Sequence, residues 1–223
     1  MSIILVVAPH PDDETLGCGG TLLRHKRNGD TVHWVIMTGI GELQEYSKQR
    51  KKTRTEEIRK VAEKYEFDST HELNFPSSEL DVIPKNNLIE GLAAIIKTVE
   101  PQVIYAPYWN DIHGDHGVTF DVVAACSKSF RYPFVKKLMV YETLSETEFS
   151  VRTASGDFKP NCWVNITDYI EKKIRIMKIY KDEMGEPPFP RSEKNIRALA
   201  TFRGATVGHQ SAEAFMILKE ILD

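Results

Sequence analysis

Cysteine is scarce in this chain, and the few present do not pair. Three occur in 223 residues, Cys18, Cys126 and Cys162, an odd number with no paired spacing. That excludes a disulfide framework, a zinc-finger pattern and a thioredoxin-type redox motif. Long apolar runs are missing too, and none approaches the ~20 residues that a membrane-spanning helix needs. The amino terminus lacks a basic region followed by an apolar stretch and a cleavage site, so the chain reads as cytoplasmic. Neither sign of charge dominates. Lys plus Arg total 29 against 32 for Asp plus Glu, a formal charge of -3, which argues against a nucleic-acid or anionic-membrane surface. The basic stretch Lys48 to Arg54 runs straight into Glu56 and Glu57 and reads as a solvated helix face. Ser47 and Ser211 lack a nucleophile-elbow context, which argues against covalent serine catalysis. Gly17, Gly19 and Gly20 make no dinucleotide fingerprint, because the phosphate-binding glycines would have to occupy the turn held by Pro9 to Asp13.

What is present is an alternation of strand and helix patterns. Ile3 to Val7 is a continuous apolar run, as expected of a parallel strand covered on both faces. A helix is expected from about Asp13 to Asn28, then a strand from Val32 to Met37. A second helix spans Ser47 to Tyr65, followed by strands at His71 to Phe75, Val103 to Ala106 and Lys137 to Thr143. Between these strands lie a stripe from Leu88 to Val99 that Pro101 ends, and one through Val118, Val122, Cys126 and Phe130. The order implies an α/β fold: a single Rossmann-like, doubly wound domain over 1–223, its sheet mostly parallel with helices on both faces. Beyond residue 150 the pattern changes. Asp168 and Glu171 open a helix with Ile170, Ile174 and Met177 inward and Lys172, Lys173, Arg175 and Lys178 outward. Gly185 to Pro190 forms a rigid loop, and Ser192 caps a last helix reaching Arg203. This part is expected to pack on the sheet and wall the site.

Chemistry concentrates at two strand ends. His10-Pro11-Asp12-Asp13-Glu14 follows the first strand, and Asp111-Ile112-His113-Gly114-Asp115-His116 follows the strand at Val103 to Ala106. The crevice outside the carboxyl ends of strands is where open α/β sheets bind ligands. Imidazole and carboxylate together suit a borderline ion such as zinc, and a neighbouring unligated carboxylate can act as a base. One such cluster alone reads as helix capping; two in equivalent positions read as halves of one metal site. Glu14 can serve the helix dipole, and Asp111 can fix the His113 loop. His25, His33 and His71 are ordinary surface or packed histidines, while His209 lies in a loop that could face the cleft. Arg54 shares an inward stripe with Ile58, Val61 and Tyr65, so it needs a polar partner, either Glu57 or a ligand.

These motifs resemble the PIG-L/LmbE-like zinc-dependent N-deacetylases. The resemblance extends to Thr38-Gly39, to the Arg54-x-x-Glu57 helix, and to Arg203-Gly204 through Phe215. It implies His10, Asp13 and His116 as zinc ligands and Asp12 as general base. His113 would stabilise the oxyanion or protonate the leaving amine, with Asp115 orienting it. Arg54 would contact sugar hydroxyls. Members usually carry proline where this chain has Gly114. Ferrous iron can occupy similar N/O sites. The implied substrate is a small N-acetylated amino sugar, an N-acetylglucosamine unit on a glycoside or glycan precursor; many members are homo-oligomers. Two rivals stand beside this reading. A metal-assisted hydrolase of phosphate esters or other acylamides would show a more cationic cleft, and a non-catalytic sugar-binding domain would have no need of Asp12.

Overall fold

The computed structural model describes residues 1–39, 47–151 and 156–222. Seven strands form one sheet in the order β3-β2-β1-β4-β5-β7-β6. They are β1 (Ile3–Ala8), β2 (Thr31–Gly39), β3 (Ser69–Pro76), β4 (Val103–Pro107), β5 (Lys137–Tyr141), β6 (Cys162–Asn165) and β7 (Ala212–Glu220). β1 pairs in parallel with β2 on one side and with β4 on the other, and the first five strands are parallel throughout. β7 closes antiparallel on β5, and β6 antiparallel on β7.

Alternate residues of the parallel strands feed two cores, which is why these strands read as unbroken apolar runs. Ile4, Val6 and Ala8 join Val32, Trp34 and Ile36 on one face. There they pack under α1 (Asp13–Arg27), α2 (Lys48–Tyr65), α5 (Ile170–Met177) and α6 (Glu193–Ala205). Leu5, Val7, Val35 and Met37 face the other way, toward α3 (Lys85–Val99) and α4 (Gly114–Ala125). The doubly wound α/β architecture is the one expected.

Three local expectations need correction. The four-residue stripe after His116 does not carry helix to Phe130: α4 ends at Ala125, and Phe130 is 79% exposed. β6 and β7 have no counterpart in the expected strands. Lys173, assigned to the solvated face, is buried and pairs with Glu213 of β7 at 2.7 Å. The reason lies in α1, whose helical path breaks at Cys18 (φ -140°). Glu213 accepts the freed N–H groups of Gly20 (2.8 Å) and Thr21 (2.7 Å), while Lys173 Nζ donates to the carbonyl of Leu16 at 2.8 Å. An ion pair thus fills both sides of a helix break, and removing one partner of such a buried pair costs about 3–5 kcal/mol. α1 lies close on the sheet at Gly17, beside the break. A Cβ at Gly17 would meet the Tyr141 ring at 2.1 Å, so only glycine fits there.

Candidate active site

β1 and β4 are neighbours whose chains continue to opposite sides of the sheet, β1 to β2 and β4 to β5. The crevice where strand order reverses is the usual ligand position in such sheets. Both His/Asp clusters leave from it. Thr38, near the end of β2, ties down the first loop, donating its N–H (3.0 Å) and hydroxyl (2.8 Å) to the carbonyl of Pro9.

His10, Asp13 and His116 offer ligand atoms within 4.8 Å of one another. Asp13 Oδ2 accepts the His10 N–H at 2.9 Å and lies 3.2 Å from His10 Nδ1 and 3.4 Å from His116 Nε2. Its other oxygen, Oδ1, is buried and has no hydrogen-bond partner among the described residues. A buried acceptor left unpaired is costly. A divalent cation between two imidazoles and this carboxylate would satisfy it, and the donor set suits zinc or iron. Each histidine is held at its far nitrogen by a second carboxylate. His116 Nδ1 meets Asp111 Oδ2 at 2.7 Å, and Asp111 Oδ1 accepts the Thr147 hydroxyl at 2.6 Å. His10 Nε2 meets Asp115 Oδ2 at 2.9 Å. Such outer carboxylates fix the tautomer and leave the inner nitrogen for a metal. Burial works against charge here, yet His116 and His10 hold Asp13 well below the usual carboxylate range. Burial would also depress His10, but Asp115 and Asp13 lift it to about 9. His10, His113 and Asp115 also lie close enough to share an ion. However, Asp115 already accepts the backbone N–H groups of Ser78 (2.7 Å) and Leu80 (3.2 Å), whereas Asp13 has the vacant oxygen.

Asp12 diverges from its neighbour. It precedes α1 with φ 137° and ψ -28°, a conformation that costs a non-glycine residue on the order of 1–3 kcal/mol and concentrates at functional sites. Its side chain reaches Arg191, whose Nη1 donates to Oδ2 at 2.7 Å, in the cleft that His10 and His113 also line. Burial and the adjacent Asp13 push Asp12 well above the ordinary aspartate pKa, and Arg191 pulls it back. Arg191 also contacts Ser145 Oγ at 2.7 Å, Glu146 at 3.1 Å and Glu183 at 3.3 Å. Sequence reasoning missed this arginine. It follows the Pro-rich loop and precedes the Ser192 cap, where no periodicity marks an inward face. Glu14 does more than serve the helix dipole: it is fully buried, and burial raises its pKa to about 7.

His113 caps α4, its Nδ1 accepting the Asp115 backbone N–H at 3.2 Å. The free proton of the neutral ring therefore sits on Nε2. Burial, then His10 and His116, lower its pKa. Asp115 thus meets His113 through its peptide N–H, while its carboxylate lies 2.9 Å from His10 Nε2. Asp111 likewise holds His116 rather than the His113 loop. Gly114 opens α4, and a Cβ there would meet nothing within 4 Å; proline is favoured at this first helical position. Arg54 donates to the Pro11 carbonyl at 3.3 Å and pairs closely with Glu183 and, at 3.5 Å, with Glu57.

Together His10, Asp12, Arg54, His113, Glu183 and Arg191 line a cleft of about 320 Å³. His209 is exposed and is not among its lining residues. His25 is engaged by Asp30 (2.7 Å) and Tyr105 (2.9 Å).

The chain is similar to a diacetylchitobiose deacetylase of Thermococcus kodakarensis, with 23% identity over 98% of this chain and 84% of the relative. Among solved structures it is similar to the conserved protein TT1542 of Thermus thermophilus (26% identity, TM-score 0.78, 100% of this chain and 97% of that one). It also superposes on the N,N'-diacetylchitobiose deacetylase of Pyrococcus horikoshii (23% identity, TM-score 0.77, 97% and 83%). At such identity the superpositions speak for the fold. Residues 5–127, which carry both His/Asp clusters and their strands, match the GlcNAc-PI de-N-acetylase profile, and the chain belongs to this PIG-L family.

Proposed function

We propose that this protein is a metal-dependent hydrolase that removes the acetyl group from an N-acetylglucosamine-type amino sugar on a small glycoside or glycan precursor, with zinc as its ion and ferrous iron as the alternative. The observation that carries the proposal is the parting of two adjacent aspartates, Asp13 toward the histidines and Asp12 toward the cleft. An ion site alone would have no use for the second. The substrate class draws support from the family description and the Thermococcus relative, which both name N-acetylated glucosamine compounds. The cytoplasm is the proposed location. Among the described residues no helix is long and apolar enough to cross a membrane.

A divalent ion held by His10, Asp13 and His116 would polarise the amide oxygen and lower the pKa of a water to about 7. With Oδ2 engaged by Arg191, Asp12 Oδ1 takes the proton of the attacking water. Nε2–H of His113 donates to the oxyanion that forms on the amide oxygen. When the C–N bond breaks, the proton on Asp12 passes to the nitrogen, giving acetate and the free amine. General acid–base help of this kind is typically worth about 10²–10⁴ in rate.

Acetate release from a panel of N-acetyl sugars, with and without chelator, tests the reading. Chelator-sensitive release from glucosamine derivatives is expected. Release unaffected by metal removal would overturn the metal dependence. Tight sugar binding without turnover would favour a sugar-binding domain.

A further inference from the structure

Glu14 is the carboxylate of the first motif that the proposed reaction does not use. It is fully buried. Its Oε2 accepts the backbone N–H of Asp12 at 3.0 Å. Its Oε1 accepts the Thr15 hydroxyl at 2.5 Å and the Tyr180 hydroxyl at 3.0 Å. The Tyr65 hydroxyl donates in turn to Thr15 Oγ1 at 3.1 Å. α1 and the segment after α5 thus meet at one carboxylate oxygen, with α2 joined to them through Thr15, and the other oxygen holds the peptide of Asp12.

We propose that Glu14 is a positioning residue for the base: by holding the Asp12 N–H it fixes that residue at positive φ and sets the direction in which its side chain leaves the chain. The residue before a helix ordinarily has negative φ. At φ 137° the Asp12 backbone is turned so that its carboxylate reaches Arg191 while Asp13, one residue on, reaches the histidines. That conformation persists only if its surroundings impose it. Here the backbone is anchored through its N–H to Glu14, and the side chain through Oδ2 to Arg191. A plainer account is helix capping, since a glutamate in the first turn can accept the cap residue's N–H. Capping predicts lost stability with no selective effect on kcat; positioning predicts a loss that acts only through Asp12.

The inference rests on the deacetylase reading for its kinetic assay alone. Glu14→Gln keeps the shape but replaces one acceptor oxygen with a donor nitrogen, so the Asp12 N–H or a hydroxyl loses its partner. In the zinc-loaded protein, metal content should match wild type and KM should stay within about twofold. At the same time kcat should fall on the order of 10²-fold, the scale of a catalytic group displaced by about 1 Å. In an Asp12→Asn background the same substitution should change the residual rate less than about twofold, because a residue acting through another has nothing further to remove. Crystal structures should show Asp12 leaving positive φ in Glu14→Gln. Equal losses in both backgrounds, loss of metal, or an unchanged Asp12 φ would overturn the proposal. Should Glu14→Gln fail to fold, Tyr180→Phe removes one donor from the same carboxylate. It should give a smaller kcat loss that again vanishes beside Asp12→Asn, and a loss persisting there would also overturn it. If wild type releases acetate from no substrate tried, the deacetylase reading fails by itself. The φ of Asp12 in the variant then still decides whether Glu14 holds it.

Discussion

Arg191 Nη1 stands 2.7 Å from Asp12 Oδ2 across 179 residues of chain. This contact brings the region after residue 150 onto the candidate base. A guanidinium favours the ionised carboxylate, so it lowers the pKa of a base that burial and Asp13 push up. Removing it lets that pKa rise. Arg191→Gln should therefore move the acid limb of the kcat/KM–pH profile to higher pH and reduce activity near neutrality, with metal content unchanged. An acid limb that stays in place would mean that Arg191 serves only its ion pairs with Glu146 and Glu183.

The two adjacent aspartates separate in the same way. Asp12→Asn should retain its metal and lose about 10²–10⁴ in turnover, the usual worth of a general base. Asp13→Ala should lose both, since it removes the carboxylate that meets His10 and His116. Metal analysis beside turnover settles the assignment. An empty Asp12→Asn together with a loaded Asp13→Ala would reverse the two roles. His116→Ala should empty the site, and His113→Ala should keep the ion while slowing the reaction.

How far such a site can be read before the fold is known depends on where its partners lie in the chain. The two His/Asp clusters are legible because parallel strands covered on both faces announce themselves as apolar runs, and the clusters follow them directly. The choice of His10, Asp13 and His116 among their members is what the family resemblance implies. What each carboxylate touches is not legible in this way. Asp115 follows His113 by two residues, which suggests a side-chain partnership. Yet the turn into α4 offers His113 the Asp115 peptide N–H and sends the carboxylate to His10. Lys173 looks solvent-facing because its partner Glu213 lies 40 residues on, in β7. That strand mixes Glu213, Lys219 and Glu220 with apolar residues and so lacks the signature of a covered parallel strand. Arg191 had no helix or strand from which a direction could be inferred.

The metal-free protein should grow less stable as pH rises. His10 has a folded pKa of about 9 against 6.5 for the free side chain. The folded state therefore holds more protons between those values, and the stability this contributes is present below 6.5 and lost as pH rises through 9. His116 is shifted in the same direction. An ion needs both rings deprotonated, so it binds better over the same range. The gap in Tm between metal-loaded and chelator-treated protein should widen from pH 6.5 to 9, measurable by calorimetry. A gap that narrows would argue against imidazole ligands.

Gly114 should accept the proline that is usual in the family. It is the first residue of α4, where proline is favoured, and a side chain there meets nothing within 4 Å. His113, before it, has φ -74° and ψ 122°, which suits a residue preceding proline. Gly114→Pro should stabilise the protein by about 0.4–1 kcal/mol through the unfolded state and leave turnover near wild type. A drop in Tm would show that the loop relies on the freedom of glycine.

Arg54 makes ion pairs and lines the cleft, and one substitution separates a bracing role from the proposed contact with substrate. It lines the cleft, yet its guanidinium is shared among Glu183, Glu57 and the Pro11 carbonyl. A lysine can keep one ion pair with Glu183 but cannot also present a planar fork to neighbouring sugar hydroxyls. Arg54→Lys should fold and keep its metal while kcat/KM for a glycosidic substrate falls by about 1–3 kcal/mol of transition-state binding. Hydrolysis of a minimal acetamide without the sugar should be nearly unchanged, because no hydroxyls remain to be contacted. Equal losses on the two substrates would mean that Arg54 acts by bracing the Pro11 loop against Glu183, and its place in the cleft would then be structural.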